Sequence, residues 1–219
     1  MNNDGKLDLV VGNHGENSRF KASKSKPVSM YINDFDDNNS IEQVIFQYNG
    51  DSSYTMALRH DLVMQMPGLK KRYLKYNSYK NQTVHDIFSP EKIRTSHVNL
   101  VHDLKTSAFL NKGNDFEKIS LPIESQFSNI FSVGIDDYNN DGYSDIILAG
   151  NLYDVKPEVG RYDANYGQIL LGGEELKFEV VPYNYSGLLL DSQVRDFSIL
   201  KNLGGKNYLL VLNNNDTLQ

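Results

Sequence analysis

Three stretches of this chain can be laid over one another in one frame, and this constrains the fold more than any other feature, because a recurring unit dictates stacked or ringed copies of one motif. Residues 137–145 read DYNNDGYSD and run into the apolar Ile146-Ile147-Leu148. Residues 34–42 read DFDDNNSIE and run into Gln43-Val44-Ile45-Phe46. Residues 2–8 read NNDGKLD and run into Leu9-Val10-Val11, matching the frame from its third position, so that a first position would precede Met1. Strand-length runs also lead into the loops, VSMYIN at 28–33 and FSVGID at 131–136, and each loop is predicted to join two strands.

A second pair of strands recurs after the loops. Ser107–Asn111, a turn and FEKISLP from Phe116 match Gln168–Gly172, a turn and FEVVP from Phe178, a step of 62 residues. That step suits a four-stranded antiparallel unit with loops. A last half unit runs from Val194 to Asn213, turning at Leu203-Gly204-Gly205-Lys206. The step from Asp34 to Asp137 is 103 residues, about 41 more than one repeat step. The surplus, at about 54–97, is expected to be helical. Leu58, Leu62 and Met66 recur at helical spacing up to Pro67, Val84, Ile87 and Phe88 form a second apolar face, and Ser89-Pro90 reads as a cap followed by a first-turn proline. The divisions that follow are 1–27 as the end of one unit, 28–122 as a unit carrying the helical insert, 123–182 as a complete unit and 183–219 as a half unit.

The loop frame has a chemical reading. Side chains at positions 1, 3 and 5 converge, glycine at position 6 permits the sharp turn, and position 7 can offer a carbonyl, a set of oxygen donors suited to a hard cation such as Ca²⁺. The third loop supplies Asp137, Asn139, Asp141, the Tyr143 carbonyl and Asp145. The second supplies Asp34, Asp36, Asn38, the Ser40 carbonyl and Glu42, with Asn39 in place of the turn glycine. The first retains Asn2, Asp4, the Lys6 carbonyl and Asp8. This is not an EF-hand, because position 12 holds Leu148, Ile45 or Val11 where a bidentate Glu would be needed. The same residues also make ordinary hairpin turns, and three copies in register favour the metal.

These loops, their flanking strands and the repeat step resemble the FG-GAP or VCBS repeats of integrin-like β-propellers. DFDDNNSIEQVIF, the insert containing RHDLVMQMPGLKK, and NLYDVKPEVGRYDANYG are similar, more narrowly, to a group of VCBS-repeat proteins found in Bacteroidota. The likeness spans almost the whole chain, with Val133-Gly134 where Phe-Gly would stand and Ala149-Gly150-Asn151 where Gly-Ala-Pro would stand. It implies an all-β fold, a partial propeller of four-stranded antiparallel blades with calcium-loop hairpins and a helical insertion. It also implies a binding or scaffolding module outside the cell, at the cell surface or in the periplasm, with protein or glycan as its partner. Two full units and two halves fall short of the four or so blades needed to close a ring, so the remaining blades are expected in a longer parent chain. Met1 leads straight into Asn2-Asn3-Asp4-Gly5 with no leader visible, and a start inside a repeat is expected to account for that.

Other constellations are weaker. Residues 54–97 carry eight basic and three acidic residues with Tyr73, Tyr76 and Tyr79 interleaved, a pattern open to an anionic partner or to a solvated helical cap. The net charge of −6 argues against a general nucleic-acid binder. Between Asn151 and Gly167, Glu158, Arg161, Tyr162, Asp163 and Tyr166 form a polar, aromatic loop, a candidate ligand site or an internal Arg–carboxylate clamp. An enzyme acting on glycans through Glu158 and Asp163 is the alternative function. His60, His85 and His102 each precede an Asp, but neighbours on a helix or strand are expected to diverge, and no nucleophile motif is present. With no Cys there is no disulfide or thiolate site, and no run approaches the roughly 18 apolar residues of a membrane span.

Overall fold

The apolar run after the third loop becomes a strand with no exposed residue, and the architecture around it explains why. The computed structural model describes residues 1–2, 4–201 and 207–219. The chain divides into two compact units, Met1–Arg19 with Leu104–Gln219, and Phe20–Asp103. It is mostly β, arranged in four antiparallel sheets.

The chain enters the first unit with β1 (Leu9–Val11) and then forms the whole of the second. There β2 (Val28–Asn33), β3 (Glu42–Asn49) and β4 (Ser52–Thr55) precede helices α1 (Arg59–Gln65), α2 (Leu69–Arg72), α3 (Val84–Ile87) and α4 (Pro90–Thr95), and β5 (His97–Val101) follows. The sheet order is β4-β3-β2-β5. One face of it, with Val44 and Phe46, packs against Leu62 and Met66 of α1 and against Tyr73, Tyr79, Val84, Ile87 and Phe88. Each such buried aliphatic or aromatic side chain contributes about 1.5–3 kcal/mol. Helix α4 starts where predicted, with Ser89 Oγ accepting from Lys92 N at 3.3 Å and Pro90 opening the helix, while a capping box of Thr83 and Asp86, not read from the sequence, starts α3. Leu58, expected on the apolar face, is exposed.

The chain returns with β6 (Ser107–Asn111) and β7 (Phe116–Ser120), which join β1 in the order β1-β6-β7. Next, β8 (Ile130–Asp136), β9 (Asp145–Gly150), β10 (Gln168–Gly172) and β11 (Phe178–Val181) form a four-stranded sheet in sequence order. Finally β12 (Val194–Lys201) pairs with β13 (Asn207–Asn213). The turn expected at residues 203–206 between them lies outside the described residues.

Strand β9 is buried along its length because its sheet is covered on both faces. Ile146 and Leu148 point into a core shared with Ala108 of β6, Leu121 and Leu170, while Ile147 and Ala149 point into another with Val194, Phe197 and Val211. The three sheets of this unit are therefore layered face to face. Within the β8–β9 pair, glycine is demanded at the end of β9, where a Cβ on Gly150 would lie 1.7 Å from the carbonyl oxygen of Asn129, the residue before β8.

One expectation is overturned. Residues 28–122 do not make one four-stranded unit, because β2 and β3 complete their sheet with β4 and β5, and β6 and β7 belong with β1 in the other unit. The segments SSYT and HVNLV, which straddle the two ends of the helical insert expected at about 54–97 and were not read as strands, supply the missing strands. The true counterpart of β9-β10-β11 is β1-β6-β7. Asn111 pairs with Phe116 as Gly172 pairs with Phe178, so the 62-residue step is preserved across these two sheets.

Candidate metal centre

The second loop closes the β2–β3 hairpin, and Asn33 opposite Glu42 is its last ladder pair. Asp34 organises the turn by accepting Asn38 N at 3.0 Å on one carboxylate oxygen and Asn39 N at 2.9 Å on the other. Asn38 Oδ1 accepts Ser40 N at 2.6 Å, and Glu42 Oε2 accepts Phe35 N at 2.9 Å. Asp37 and Asn39 stand in the left-handed region at φ 62° and 65°, and Asn is among the few residues with a side chain that tolerate it. The buried Phe35 ring stacks on Phe88 at 3.8 Å, fixing the loop to the core.

Carboxylate oxygens of Asp34, Asp36 and Glu42 all lie within 4.8 Å of one another, and they are the one such group of three acidic or histidine side chains among the described residues. Glu42 is 5% exposed. Like charges at this distance repel by between about 1 and 4 kcal/mol per pair, depending on the local dielectric. Lys92 Nζ binds the loop at the Asp34 carbonyl and the Asp37 carboxylate, each at 2.5 Å, and ion-pairs with none of the three. That bond to Asp37 is the main cause of the raised pKa of Lys92. The trio can hold a metal ion, which would supply the missing positive charge.

The third loop repeats this skeleton at the β8–β9 hairpin, closed by the pair Asp136–Asp145. Asp137 accepts Asp141 N at 3.0 Å and Gly142 N at 2.9 Å. Asn139 Oδ1 accepts Asp141 N at 3.0 Å, Asp141 Oδ1 accepts Tyr143 N at 2.8 Å, and Asp145 Oδ2 accepts Tyr138 N at 2.9 Å. Positive φ recurs at Asn140 (61°) and Gly142 (90°). The carboxylates nevertheless do not gather as in the second loop. Asp145 is fully buried, and its other oxygen accepts Gly172 N at 2.9 Å from β10, so both oxygens serve the fold. Glu42, one methylene longer, uses one oxygen in this way and leaves the other without a hydrogen bond from any described residue. Beside the third loop, burial pushes the Tyr138 phenol up to about 12, aided by Asp136 and Asp145, and its buried hydroxyl has no hydrogen-bond partner.

The first loop shows the same local bonds. Asp4 Oδ1 accepts Lys6 N at 2.9 Å, Asn2 Oδ1 accepts Asp4 N at 3.3 Å, and Asn2 Nδ2 donates to Asp4 Oδ2 at 3.1 Å. Asp8 accepts Asn111 N at 3.0 Å from the end of β6, as Asp145 accepts Gly172 N, and pairs with the Met1 ammonium at 2.9 Å. Burial alone would raise the Asp8 pKa, but the Asn111 hydrogen bond and the ammonium outweigh it and leave it lowered. These cross-strand donors, Asn111 and Gly172, were not anticipated from the sequence. Their only local signal is their shared place before the turns to Phe116 and Phe178.

The loop at 151–167 is held by its backbone, Leu152 and Tyr162 exchanging both hydrogen bonds. Arg161 does not clamp a carboxylate; its guanidinium lies over the Tyr153 ring at 4.9 Å. Glu158 approaches Lys156 at 4.0 Å, Asp163 and Tyr166 are exposed, and the Tyr162 ring meets His14 edge-on at 5.0 Å. In the basic insert, Tyr73 and Tyr79 are core residues and Tyr76 is exposed, so the three do not form a stacking surface. Arg59 and Arg72 spend hydrogen bonds on backbone carbonyls of Tyr73 and Ile87. Contrary to expectation, the neighbours His60 and Asp61 do meet, Nε2 to Oδ1 at 3.2 Å, with His60 Nδ1 3.0 Å from the Tyr76 hydroxyl. Both lie in the first turn of α1, where a short Asp side chain can reach back along the helix. Among the described residues no helix is long and apolar enough to cross a membrane.

Compared with known families, curated proteins and solved structures, the chain matches none.

Proposed function

We propose that this chain is a calcium-binding module of the FG-GAP/VCBS type, its face-to-face sheets acting as blades of a propeller, and that it serves outside the cytoplasm as a binding or scaffolding element. The observation that carries the reading is the identical hydrogen-bond skeleton of the loops at 34–42 and 137–145. In both, position 1 accepts the amides of positions 5 and 6, position 5 accepts that of position 7, and position 9 accepts that of position 2. Such a skeleton presents oxygens on one side of a tight turn, and the unpaired trio Asp34, Asp36 and Glu42 supplies the charge for a hard divalent ion. Exposed loops with few acidic donors suit the weak range of extracellular calcium modules, on the order of 10⁻⁴–10⁻³ M. The ion would pin each hairpin without taking part in chemistry.

Thermal unfolding of the chain in Ca²⁺, in Mg²⁺ and in chelator tests this. An ion bound only by the folded state stabilises it by about 2.7 kcal/mol at a hundredfold excess over Kd. A melting temperature raised by Ca²⁺ and less by Mg²⁺ is expected, and identical melting in all three solutions would rule the proposal out.

A further inference from the structure

Within the second unit, the sheet face that carries the helices extends beyond them. The register places Ser29 opposite Leu100 and Tyr48 opposite Ser53, with Tyr31 two residues along from Ser29 on the same face. Where the helical cover stops, at Thr83, Val84 and His85, these side chains line a cavity of about 290 Å³. Tyr31 packs its ring edge against Phe46 at 5.5 Å, which fixes its orientation from the core side.

The polar groups of this cavity are in an unusual state of supply. The hydroxyls of Ser29, Tyr31 and Tyr48 take no hydrogen bond from any described residue, although Ser29 is only 9% exposed and Tyr31 and Tyr48 are part-buried. All three hydroxyls still reach solvent, so each can meet a ligand's groups without first breaking a protein hydrogen bond. Tyr31 stays a neutral phenol, since burial and the neighbouring Tyr48 push its pKa up. Charge around the cavity is balanced: Asp51 at the rim is paired with Lys26 at 2.9 Å, and the Thr83 hydroxyl is given to Asp86 at 2.7 Å. The lining carries no Lys or Arg, and beside Asp51 only His85 could meet a charged group. A molecule whose own groups are each donor and acceptor, on a compact frame with apolar faces for the phenol rings, would be matched at every point. The volume falls just below the roughly 300–1,000 Å³ of small-molecule sites, room for one ring and not for an oligomer.

We propose that this cavity binds a neutral polyhydroxylated ligand, a single pyranose unit, through the hydroxyls of Ser29, Tyr31 and Tyr48. The site is separate from the metal loop and does not rest on the calcium reading.

Saturation-transfer NMR on the full chain, in buffer containing Ca²⁺, with free glucose, galactose, mannose and N-acetylglucosamine as probes, tests it. Transfer to the ring protons of at least one sugar is expected. Tyr48→Phe keeps the ring and the fold while removing one neutral hydrogen bond, and should weaken binding about fivefold. Ser53→Trp fills the cavity from an edge strand and should abolish transfer, with a melting curve confirming that the unit remains folded. Tyr185→Ala, an exposed tyrosine of the other unit, should change nothing. Absence of transfer to all four sugars, an unchanged affinity in Tyr48→Phe, or transfer that survives Ser53→Trp would each overturn the proposal.

Discussion

The loops at 34–42 and 137–145 share one hydrogen-bond skeleton and part company at the acid that closes it. Asp145 spends both oxygens on backbone amides, one inside the loop and one on β10, and is sealed from solvent. Glu42 spends one and comes within 4.8 Å of Asp34 and Asp36. The same position of the same motif is thus a structural rivet in one loop and part of a charged cluster in the other. A recurring spacing does not by itself assign a side chain to a ligand; what matters is which of its lone pairs the fold has already taken.

The largest expected effect comes from removing the rivet. Asp145→Ala removes a fully buried side chain and leaves two part-buried amides without acceptors, and should cost about 3–5 kcal/mol in urea unfolding, with or without Ca²⁺. Glu42→Ala orphans one amide and should cost about 1–3 kcal/mol in chelator, with a further loss appearing only in Ca²⁺. Equal losses for the two would erase the distinction between the loops.

Asp36 is exposed and makes no hydrogen bond or ion pair with a described residue. Asp36→Asn should change stability in chelator by less than about 0.5 kcal/mol and remove most of the calcium-induced stabilisation of about 2.7 kcal/mol at saturating ion. Calorimetric titration of this variant separates a ligand from a turn residue, and an undiminished calcium response would place the ion elsewhere.

A smaller effect probes the turn itself. Gly142 stands at φ 90° with open space where a Cβ would project, so Gly142→Ala tests backbone conformation alone and should cost about 1–2 kcal/mol. Asn39→Ala, at φ 65°, should cost about 1 kcal/mol, while Asn39→Gly should be nearly neutral. Chemical denaturation of the three variants ranks them.

The smallest effect is expected at Tyr138. Its folded pKa of about 12 lies above the ordinary phenol value of 10.0, so the unfolded chain loses this proton first as pH rises. Its contribution is complete below pH 10 and is lost between about pH 10 and 12. Tyr138→Phe should flatten that alkaline decline and, by deleting a hydroxyl with no partner, raise stability at neutral pH by up to about 1 kcal/mol. A pH series of melting temperatures on both proteins decides it.

Much of this was legible in the sequence, and the limits follow from chain distance. The hairpin loops, the left-handed role of Asn39, the capping at Ser89-Pro90 and the buried pair Leu62 and Met66 depend on residues within a few positions of one another. Strand partners do not. HVNLV does alternate polar and apolar from His97 to Leu100, but it is exposed at every position and follows directly on α4, so nothing local names β2 as its partner. SSYT is likewise silent in the sequence, and only Gly50, at φ 65°, turns it back onto β3. With those two strands unread, β6 and β7 looked like the continuation of β3, although their partner is the three-residue β1. The contact between His60 and Asp61 was missed for the opposite reason, a general rule of helix geometry applied to a flexible pair in a first turn.

What the amino-acid order determined alone was the set of short-range structures: turns whose positive φ and amide-accepting carboxylates need only their own nine residues, and helices marked by caps and apolar spacing. Tertiary structure decided which strands share a sheet and whether Asp145 or Glu42 keeps an oxygen to offer. The physical reason is that ladder bonds and buried acceptors are satisfied by groups far along the chain, and the energy of those pairings exists only once the sheets have met.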